Sequence, residues 1–292
     1  MTDQLSYALI TPARNEAANL RRLAPCILNQ TTVPRQWIIV DNGSTDETPQ
    51  IARALAEQHP WISLLEIPGE TVAVRGAPVV RAFHAGIAAL DDSVDVLVKL
   101  DADVSVESDY FARQQQAFHE DPSLGIAGGL CMEPREDGSF EAARVVYDHV
   151  RGAIRAYRWA CLLQVTPLEE RMGWDGIDEM KAQVNGWRTR TIPGLSFLHF
   201  RVYGSRESRW ARWSREGDMS HYMGYRLSYL IARTAYYVRY EPSAVAMVWG
   251  YASAAIRRKP QLDSREAIAH LRELQSFRAL PSRIREKLGF AS

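Results

Sequence analysis

Apolar and polar positions alternate through the first hundred residues as short apolar runs separated by stretches of helical periodicity. The apolar runs predict four strands, at 7–11, 36–41, 62–67 and 94–100. The stretches between them predict three amphipathic helices, at about 15–29, 46–59 and 77–90, with Asp46 capping the second. Because strands and helices alternate, we expect an α/β fold whose parallel sheet is covered by helices on both faces.

The pattern changes in the second half of the chain. A glycine-rich apolar run at 125–133 predicts another strand, and 141–160 has helical character. A loop near 173 leads into a helix that we expect to stop at Gly186, and a short strand then reaches His199. From about 217 the chain is a series of helical segments rich in Tyr, Trp and Arg. We therefore expect an α/β body at 1–205 and a C-terminal helical extension at 206–292.

The formal net charge is zero, but the charges are unevenly distributed. Residues 201–292 contain 17 Lys and Arg against 8 Asp and Glu, a net charge of +9 that residues 1–200 balance with −9. Aromatic and aliphatic side chains mixed with cations are typical of helices at an anionic membrane surface. The alternative is that these helices pack on the α/β body or form a homo-oligomer. The basic residues do not accompany a nucleic-acid recognition motif, so we expect no nucleic-acid partner.

Composition and the longest apolar run bear on the cellular location. With 46% hydrophobic and 24% charged residues, the chain has the composition of an ordinary globular protein. The apolar run at 243–256 is too short to span a bilayer, and the first residues lack a signal-peptide pattern. Three widely spaced cysteines predict neither a disulfide framework nor a zinc site. We expect a cytoplasmic protein, peripheral on the inner face of the cell membrane.

The most informative polar residues follow the fourth predicted strand. Asp101, Ala102 and Asp103 come at the carboxyl end of the run 94–100, where open α/β sheets bind ligands. Two carboxylates at this spacing are hard oxygen donors that suit Mg²⁺ or Mn²⁺, which keep coordination positions for phosphate oxygens. An ordinary surface turn is the alternative, since Asp is common in turns.

Polar residues also follow the first two strands. The second strand ends in a tight turn with exposed amides and hydroxyls that contains Asp41, Asn42 and Ser44. Such a turn can hold a nucleotide, with Asp41 accepting hydrogen bonds from the base or ribose and the amides facing phosphate. A plain Asx turn followed by a helix cap explains the same residues. Further candidates stand after the first strand, at Pro12, Arg14 and Glu16.

Together these segments resemble the catalytic domain of glycosyltransferase family 2. The resemblance rests on "ALITPARNEAANL", "IIVDNGSTDET", "VRAFHAGIAAL" and "VLVKLDADV", in that order and spacing, and covers about 5–205. It implies the GT-A fold, a UDP-, GDP- or dTDP-sugar donor, Mn²⁺ or Mg²⁺, and inversion at the anomeric carbon. It also implies a glycan or lipid-linked acceptor, as in bacterial polysaccharide or glycolipid synthesis.

The resemblance assigns roles by position. The family's residues that bind the sugar nucleotide fall here on Pro12, Glu16, Asp41 and the D-x-D motif of Asp101 and Asp103. By this resemblance Asp41 contacts the base or ribose, Asp101 contacts ribose or metal, and Asp103 ligates the metal that bridges the diphosphate.

Three residues near the third helix depart from the family pattern or have no fixed role in it. His84 stands where relatives commonly carry Asn, and a helix histidine with a purely structural role is the alternative. Arg75 and Arg81 are candidates for phosphate contacts, or else are solvated cations.

The catalytic base is expected in "GWDGIDEMKAQVNGWRT". Relatives carry a Glu-Asp pair about eleven residues before a glycine and an aromatic residue. Counting back from Gly186 places Asp175 on the Asp of that pair, although Trp174 replaces the Glu. Asp178 and then Glu179 are the further candidates, and an N-terminal helix cap is the structural alternative.

The segment after the last predicted strand supplies the remaining candidates. His199 is a candidate third metal ligand or a donor to the leaving diphosphate, and Arg201 and Arg206 are candidates to neutralise that diphosphate. "YGSRESRW" resembles a loop that closes over the donor. Two other functions stay open, a nucleotidyltransferase-like enzyme and a non-catalytic GT-A scaffold or binding subunit. The first strand lacks the glycine-rich loop expected of a nucleotidyltransferase.

Overall fold

The computed structural model describes residues 5–69, 76–135, 137–143, 149–200 and 208–276 of the 292-residue chain. The chain divides into two compact units, Met1–Val202 and Tyr203–Ser292. Within the described residues, the strands of the first unit are β1 Tyr7–Ala13, β2 Gln36–Asn42, β3 Ile62–Ile67, β4 Val96–Leu100, β5 Val104–Ser105, β6 Leu124–Pro134, β7 Phe140–Ala142, β8 Ile154–Arg158 and β9 Arg188–His199. Its helices are α1 Ala17–Leu28, α2 Thr48–Gln58, α3 Ala77–Ala88, α4 Tyr110–Glu120, α5 Trp159–Val165 and α6 Trp174–Val184.

The strands form one mixed sheet in the order β3-β2-β1-β4-β8-β6-β9-β5, and β7 pairs with β6. The first four strands of this order are parallel. Their registers place Ala13 beside Asp41 and Ile10 beside Lys99, so the ends of β1, β2 and β4 meet at one edge. This architecture confirms the expected α/β sheet flanked by helices.

Apolar side chains cover both faces of the parallel strands. Along β1, Leu9 belongs to one core cluster and Ile10 to the other, because alternate strand residues point to opposite faces. Val98 and Leu97 divide in the same way along β4. Burial on both faces explains why these strands appear in the sequence as continuous apolar runs.

The helix expected at 141–160 is wrong, because its described part contains strand β8. This strand runs antiparallel to β4 and to β6, between which it lies. Its polar residues are buried: Arg155 and Tyr157 are 0% exposed and bind an aspartate from α6. Long-range polar partners therefore stabilise a strand that the local apolar pattern does not indicate.

Helix boundaries differ from the expected ones by a few residues. Helix α2 begins at Thr48 with Glu47 in the cap position, so Asp46 is not the helix cap itself. The Asp46 carboxylate instead accepts hydrogen bonds from the backbone amides of both Thr48 and Ala17. Asp46 thus joins the first turns of α1 and α2, and these hydrogen bonds lower its pKa although burial opposes them.

The second unit is helical throughout its described residues. Its helices are α7 Arg209–Tyr222, α8 Leu227–Val238, a 3₁₀ turn Pro242–Val245, α9 Ala246–Ile256 and α10 Arg265–Leu274. Helices α7 and α9 cross closely at two glycines, since a Cβ on Gly217 would stand 1.9 Å from the Met247 carbonyl oxygen and one on Gly250 would stand 1.8 Å from that of Ser214. Within the described ranges, we find no helix with the length and apolarity that a bilayer crossing requires.

Exposed apolar residues form two stripes on the helices of this unit. Leu227, Ile231 and Val238 of α8 are exposed and share one face by helical spacing. On α9, Trp249 is 63% and Ile256 81% exposed, opposite the buried Met247, Gly250 and Ala254. The exposed cations Arg257, Arg258 and Lys259 follow immediately.

Candidate active site

Two loops at the parallel edge of the sheet are tied together by hydrogen bonds. Asn15, which has a φ of 56°, donates its backbone amide to the Ser44 hydroxyl at 2.9 Å. The Asn15 side-chain oxygen accepts from the Thr45 amide at 2.7 Å, and the Glu16 amide donates to Thr48 Oγ1 at 2.9 Å. The loop after β1 therefore fixes the turn after β2. The sequence analysis did not single out Asn15. The only signal in the sequence is an Asn within a polar loop, since Asn adopts the left-handed backbone conformation more readily than most residues.

Asp41 has one oxygen available for a ligand. The residue is 4% exposed, and its Oδ2 accepts from the Ser44 amide at 3.1 Å. Its Oδ1 is buried without a hydrogen-bond partner among the described residues. Because an unpaired buried carboxylate oxygen is costly, we expect this atom to accept from a donor that lies outside the described residues.

The other candidates at this edge surround Asp41. Pro12 lies in β1 beside Val40, and Asn42 is buried as the last residue of β2. Arg14 is exposed in the loop after β1, and the Glu16 carboxylate accepts a hydrogen bond from Asn19. The structure thus brings Pro12, Arg14, Glu16, Asn42 and Ser44 to the same edge as Asp41.

The D-x-D motif begins with Asp101, which is joined to a buried lysine. Lys99 is 2% exposed, and its ammonium donates to Asp101 Oδ1 and to the Gly152 carbonyl oxygen. Burial raises the pKa of Asp101 and the neighbouring Asp103 raises it further, while Lys99 lowers it. Two strand spacings separate β4 from β2, so the backbones at Asp101 and Asp41 lie roughly 10 Å apart. Lys99 was not recognised in the sequence, although it is the single charge in "VLVKL".

Asp103 lies against His199. The pairing of β5 with β9 sets Val104 opposite His199, and the Phe200 amide donates to the Asp103 carbonyl oxygen at 2.9 Å. His199 Nε2 is 3.3 Å from Asp103 Oδ1. Burial lowers the pKa of His199, but hydrogen bonds with Asp103 and Cys131 outweigh it and raise the pKa to about 10. Ala102, between the two aspartates, is 3% exposed.

The donor set fits a divalent cation. Asp101 and Asp103 offer hard carboxylate oxygens that suit Mn²⁺ and Mg²⁺. His199, whose raised pKa favours the protonated imidazole, would have to release a proton before its nitrogen could join them. Burial is the main cause of the raised pKa of Asp101, and repulsion from Asp103 adds to it; a cation bound by both carboxylates would relieve that repulsion.

Asp175 reaches the same region through Gly152. A Cβ on Gly152 would stand 3.2 Å from Asp175 Oδ2 and 2.9 Å from the Trp174 ring, and the Gly152 carbonyl accepts from Lys99. The Lys99 ammonium is also 5.5 Å from the centre of the Trp174 ring. Asp175 is half-buried in the first turn of α6 and is thereby linked to Asp101 through Lys99 and Gly152.

Asp178 is held by a buried ion pair. Arg155 donates to both of its oxygens, and the Tyr157 hydroxyl donates to Oδ2. Asp178 is 1% exposed, and burial raises its pKa to about 7 against the opposing effect of Arg155. The hydrogen bonds to Asp178 hold α6 against β8, and they leave this carboxylate facing protein donors.

Glu179 and His149 complete this network. The Glu179 carboxylate accepts from the Val150 amide at 2.6 Å and from Arg155 at 3.1 Å, and it is 2.9 Å from His149 Nδ1. The Asp175 carbonyl also accepts from Arg155 at 2.6 Å. Arg155 therefore fixes the start of α6, including Asp175.

His84 and Arg81 bind the loop between α5 and α6. His84 Nε2 accepts a hydrogen bond from the Leu168 amide at 3.1 Å, which is the structural alternative for this histidine. Arg81 is exposed and pairs with Glu170. Neither contact brings these side chains to the D-x-D motif. Arg75, Arg201 and Arg206 lie outside the described residues.

A family model and one known relative match part of this chain. The family model described as Glycosyl transferase family 2 matches residues 8–161. The succinoglycan biosynthesis protein ExoA of Rhizobium meliloti (strain 1021) is 32% identical over 109 residues, which are 37% of this chain and 31% of ExoA. The match thus spans less than a third of that relative's length.

Two solved structures have a similar fold. The mannosyltransferase PcManGT from Pyrobaculum calidifontis, in complex with GDP-Man and Mn²⁺, has a TM-score of 0.57 and 18% identity, over 99% of this chain and 84% of that one. GalNAc-T7 with UDP, GalNAc and Mn²⁺ has a TM-score of 0.55 and 13% identity, over 70% of this chain and 45% of that one.

Proposed function

The chain belongs to glycosyltransferase family 2, since the family match covers more than half of its length, and we propose that it is a metal-dependent inverting enzyme. In this proposal a sugar passes from a nucleoside diphosphate to a hydroxyl group of a glycan or lipid-linked acceptor. The residues that would perform this reaction are carboxylates that follow the parallel strands.

The observation that carries the proposal is the meeting of three polar strand ends at one edge of the sheet. β1, β2 and β4 are parallel and in register, so the residues that follow them share that edge. Asp41 there has a buried Oδ1 without a partner among the described residues, and Asp101 and Asp103 follow β4. An acceptor for a nucleoside and a pair of carboxylates for a cation are what a nucleoside diphosphate-sugar needs.

Asp103, Asp101 and His199 would hold Mn²⁺ or Mg²⁺. When bound, such a cation neutralises charge on the departing diphosphate. Asp41 would orient the nucleoside, while Asn15 and Ser44 keep the turn around it in place. Lys99 favours the ionised form of Asp101, because its ammonium lowers a pKa that burial and Asp103 raise.

Asp175 would act as the general base. The acceptor oxygen attacks the anomeric carbon from the face opposite the diphosphate, and its proton passes to the Asp175 carboxylate. The bond from the anomeric carbon to the diphosphate oxygen breaks as the new C–O bond forms, which inverts the anomeric configuration. Arg155 would position Asp175, since it donates to the Asp175 carbonyl oxygen and to the Asp178 carboxylate one turn later in the same helix.

The C-terminal unit supports an acceptor at a membrane. The exposed stripes of α8 and α9 and the adjacent Arg257, Arg258 and Lys259 combine apolar side chains with cations, as in helices that lie at a lipid surface. We propose a peripheral position on the inner face of the cell membrane. A role in polysaccharide precursor synthesis is supported by the name of ExoA, which refers to succinoglycan biosynthesis.

A panel of donors tests the proposal. Purified protein is heated with UDP-, GDP- or dTDP-sugars, each with and without Mn²⁺, because a ligand that binds only the folded state raises the melting temperature. We expect one nucleotide class to raise it, and more strongly with the cation. The anomeric configuration of the product from that donor is then determined by NMR. A retained configuration, or the absence of any stabilising donor, would contradict the proposal.

A further inference from the structure

His199 belongs to a second group of donor atoms that contains a thiol. Cys131 and Glu133 are two residues apart on β6 and so share one face of that strand. The pairing of β6 with β9 sets Cys131 beside Phe197 and Met132 beside Leu198, which brings His199 to the level of Glu133. One ligand atom each from Cys131, Glu133 and His199 lie within 4.8 Å of one another.

These separations are close to those of a zinc site. Tetrahedral Zn²⁺ with bonds of about 2.0–2.3 Å holds its ligand atoms about 3.3–3.6 Å apart. Side-chain rotations that move the ligand atoms by about 1 Å would bring the three atoms to that spacing. The site opens to solvent at Glu133 and His199, whose side chains are 22% and 17% exposed, while Cys131 is 1% exposed.

The donor chemistry separates this group from the D-x-D motif. Thiolate and imidazole favour Zn²⁺ over Mg²⁺ and Mn²⁺, whereas the two aspartates favour the harder ions. Glu133 Oε1 is 3.3 Å from the Arg151 guanidinium, so its second oxygen is the one available to a cation.

We propose that Cys131, Glu133 and His199 form a site for Zn²⁺ or a similar thiophilic divalent cation. Three protein ligands leave a fourth position for water. The Cys131 thiol loses its proton to solvent when the S–Zn bond forms.

The consequence for turnover rests on the proposed function. His199 Nε2 lies 3.3 Å from Asp103 Oδ1 and would contribute to the Mn²⁺ or Mg²⁺ site there. A zinc ion on Cys131 and Glu133 would compete for the same imidazole. Zn²⁺ therefore acts as an inhibitor of the cation-dependent reaction, and the inhibition requires the Cys131 thiol.

Cobalt spectroscopy tests the site without any donor substrate. The full chain is freed of metal with a chelator and titrated with Co²⁺, which substitutes for Zn²⁺ and gives a thiolate charge-transfer band in the near ultraviolet. We expect the band in the wild type and in Cys161→Ser, and its loss in Cys131→Ser. Cys161 is a matched control because it is equally buried but packs in the other core cluster. We expect Zn²⁺ to abolish the band.

Glu133→Gln provides a second test that does not alter the buried thiol. This variant should keep the cobalt band but bind Zn²⁺ at least about tenfold more weakly. An absent band in the wild type, an unchanged band in Cys131→Ser, or unchanged zinc affinity in Glu133→Gln would overturn the zinc site. Donor-dependent stabilisation with Mn²⁺ is measured separately, so failure of the donor assay removes only the predicted inhibition.

Discussion

The buried Lys99 ammonium donates to the Asp101 carboxylate from two residues earlier on the same strand end. Lys99 also donates to the carbonyl of Gly152, a residue at which an added Cβ would stand 2.9 Å from the Trp174 ring and 3.2 Å from Asp175 Oδ2. The Lys99 ammonium therefore lies between the D-x-D motif and the first turn of α6. This connection relates the proposed cation site to the proposed base.

Replacing this lysine tests the connection. Lys99→Met keeps the length and apolar stem of the side chain but removes the ammonium, leaving Asp101 and the Gly152 carbonyl without their donor. We expect a loss of about 2 kcal/mol in the free energy of unfolding, because a buried ion pair loses one partner and Asp101 is partly hydrated. Urea unfolding measures it. The double variant Lys99→Met/Asp101→Asn should be less destabilised than the two single losses added together, and strict additivity would refute the coupling.

Asp175 and Asp178 should respond differently to loss of charge. Asp175→Ala is expected to reduce turnover by about 10²–10⁴-fold with donor affinity retained, because only proton removal from the acceptor is lost. Asp178→Asn should instead lower stability by roughly 1.5–3 kcal/mol, since the buried Arg155 loses one of its two carboxylate partners and keeps Glu179. Initial rates, donor titration and urea unfolding separate the two effects. Wild-type turnover in Asp175→Ala would exclude Asp175 as the base.

His84 should make stability depend on pH. Burial lowers its pKa below the ordinary value of 6.5, although Glu170 raises it, and its Nε2 accepts from Leu168. As the pH falls through 6.5, the unfolded chain binds a proton before the folded one does. The stabilisation is therefore present above pH 6.5 and declines as the pH falls towards the folded-state pKa. His84→Gln should lose less stability than the wild type between about pH 7.5 and 5.5, and equal losses would contradict this assignment.

The exposed stripe of α9 should govern membrane binding. Sedimentation with anionic vesicles at low salt is expected for the wild type and should weaken in Trp249→Ala/Ile256→Ala, which removes two of its large apolar side chains. Arg53→Ala is the surface control, because Arg53 is exposed on α2 in the other unit. A wild-type protein that stays in the supernatant would exclude the membrane surface.

The parallel part of the sheet could be predicted because its physical signal is local. Val98 and Leu97 are buried on opposite faces of β4, so every residue of the strand except Lys99 is apolar, and Asp101 stands where it ends. The positions of Asp41 and the D-x-D motif at one edge follow from that topology.

The remaining strands could not be predicted because their determinants are distant in sequence. Arg155 is tolerated inside β8 because two carboxylates on α6, Asp178 and Glu179, lie against it, and these residues come 23 and 24 positions later in the chain. Cys131 and Glu133 meet His199 only after β6 pairs with β9. No short window of sequence contains either pairing.

Calorimetric titration of the stabilising nucleoside diphosphate tests the central claim most directly, since it asks whether the D-x-D carboxylates hold a cation against the diphosphate. In the wild type, Mn²⁺ should raise the affinity by about 100-fold or more, equivalent to roughly 2.7 kcal/mol. Asp103→Asn should bind the nucleotide without this increase, while Asp109→Asn, an exposed aspartate near the start of α4, should keep it. Equal affinity with and without Mn²⁺ in the wild type, or a full increase in Asp103→Asn, would contradict the account.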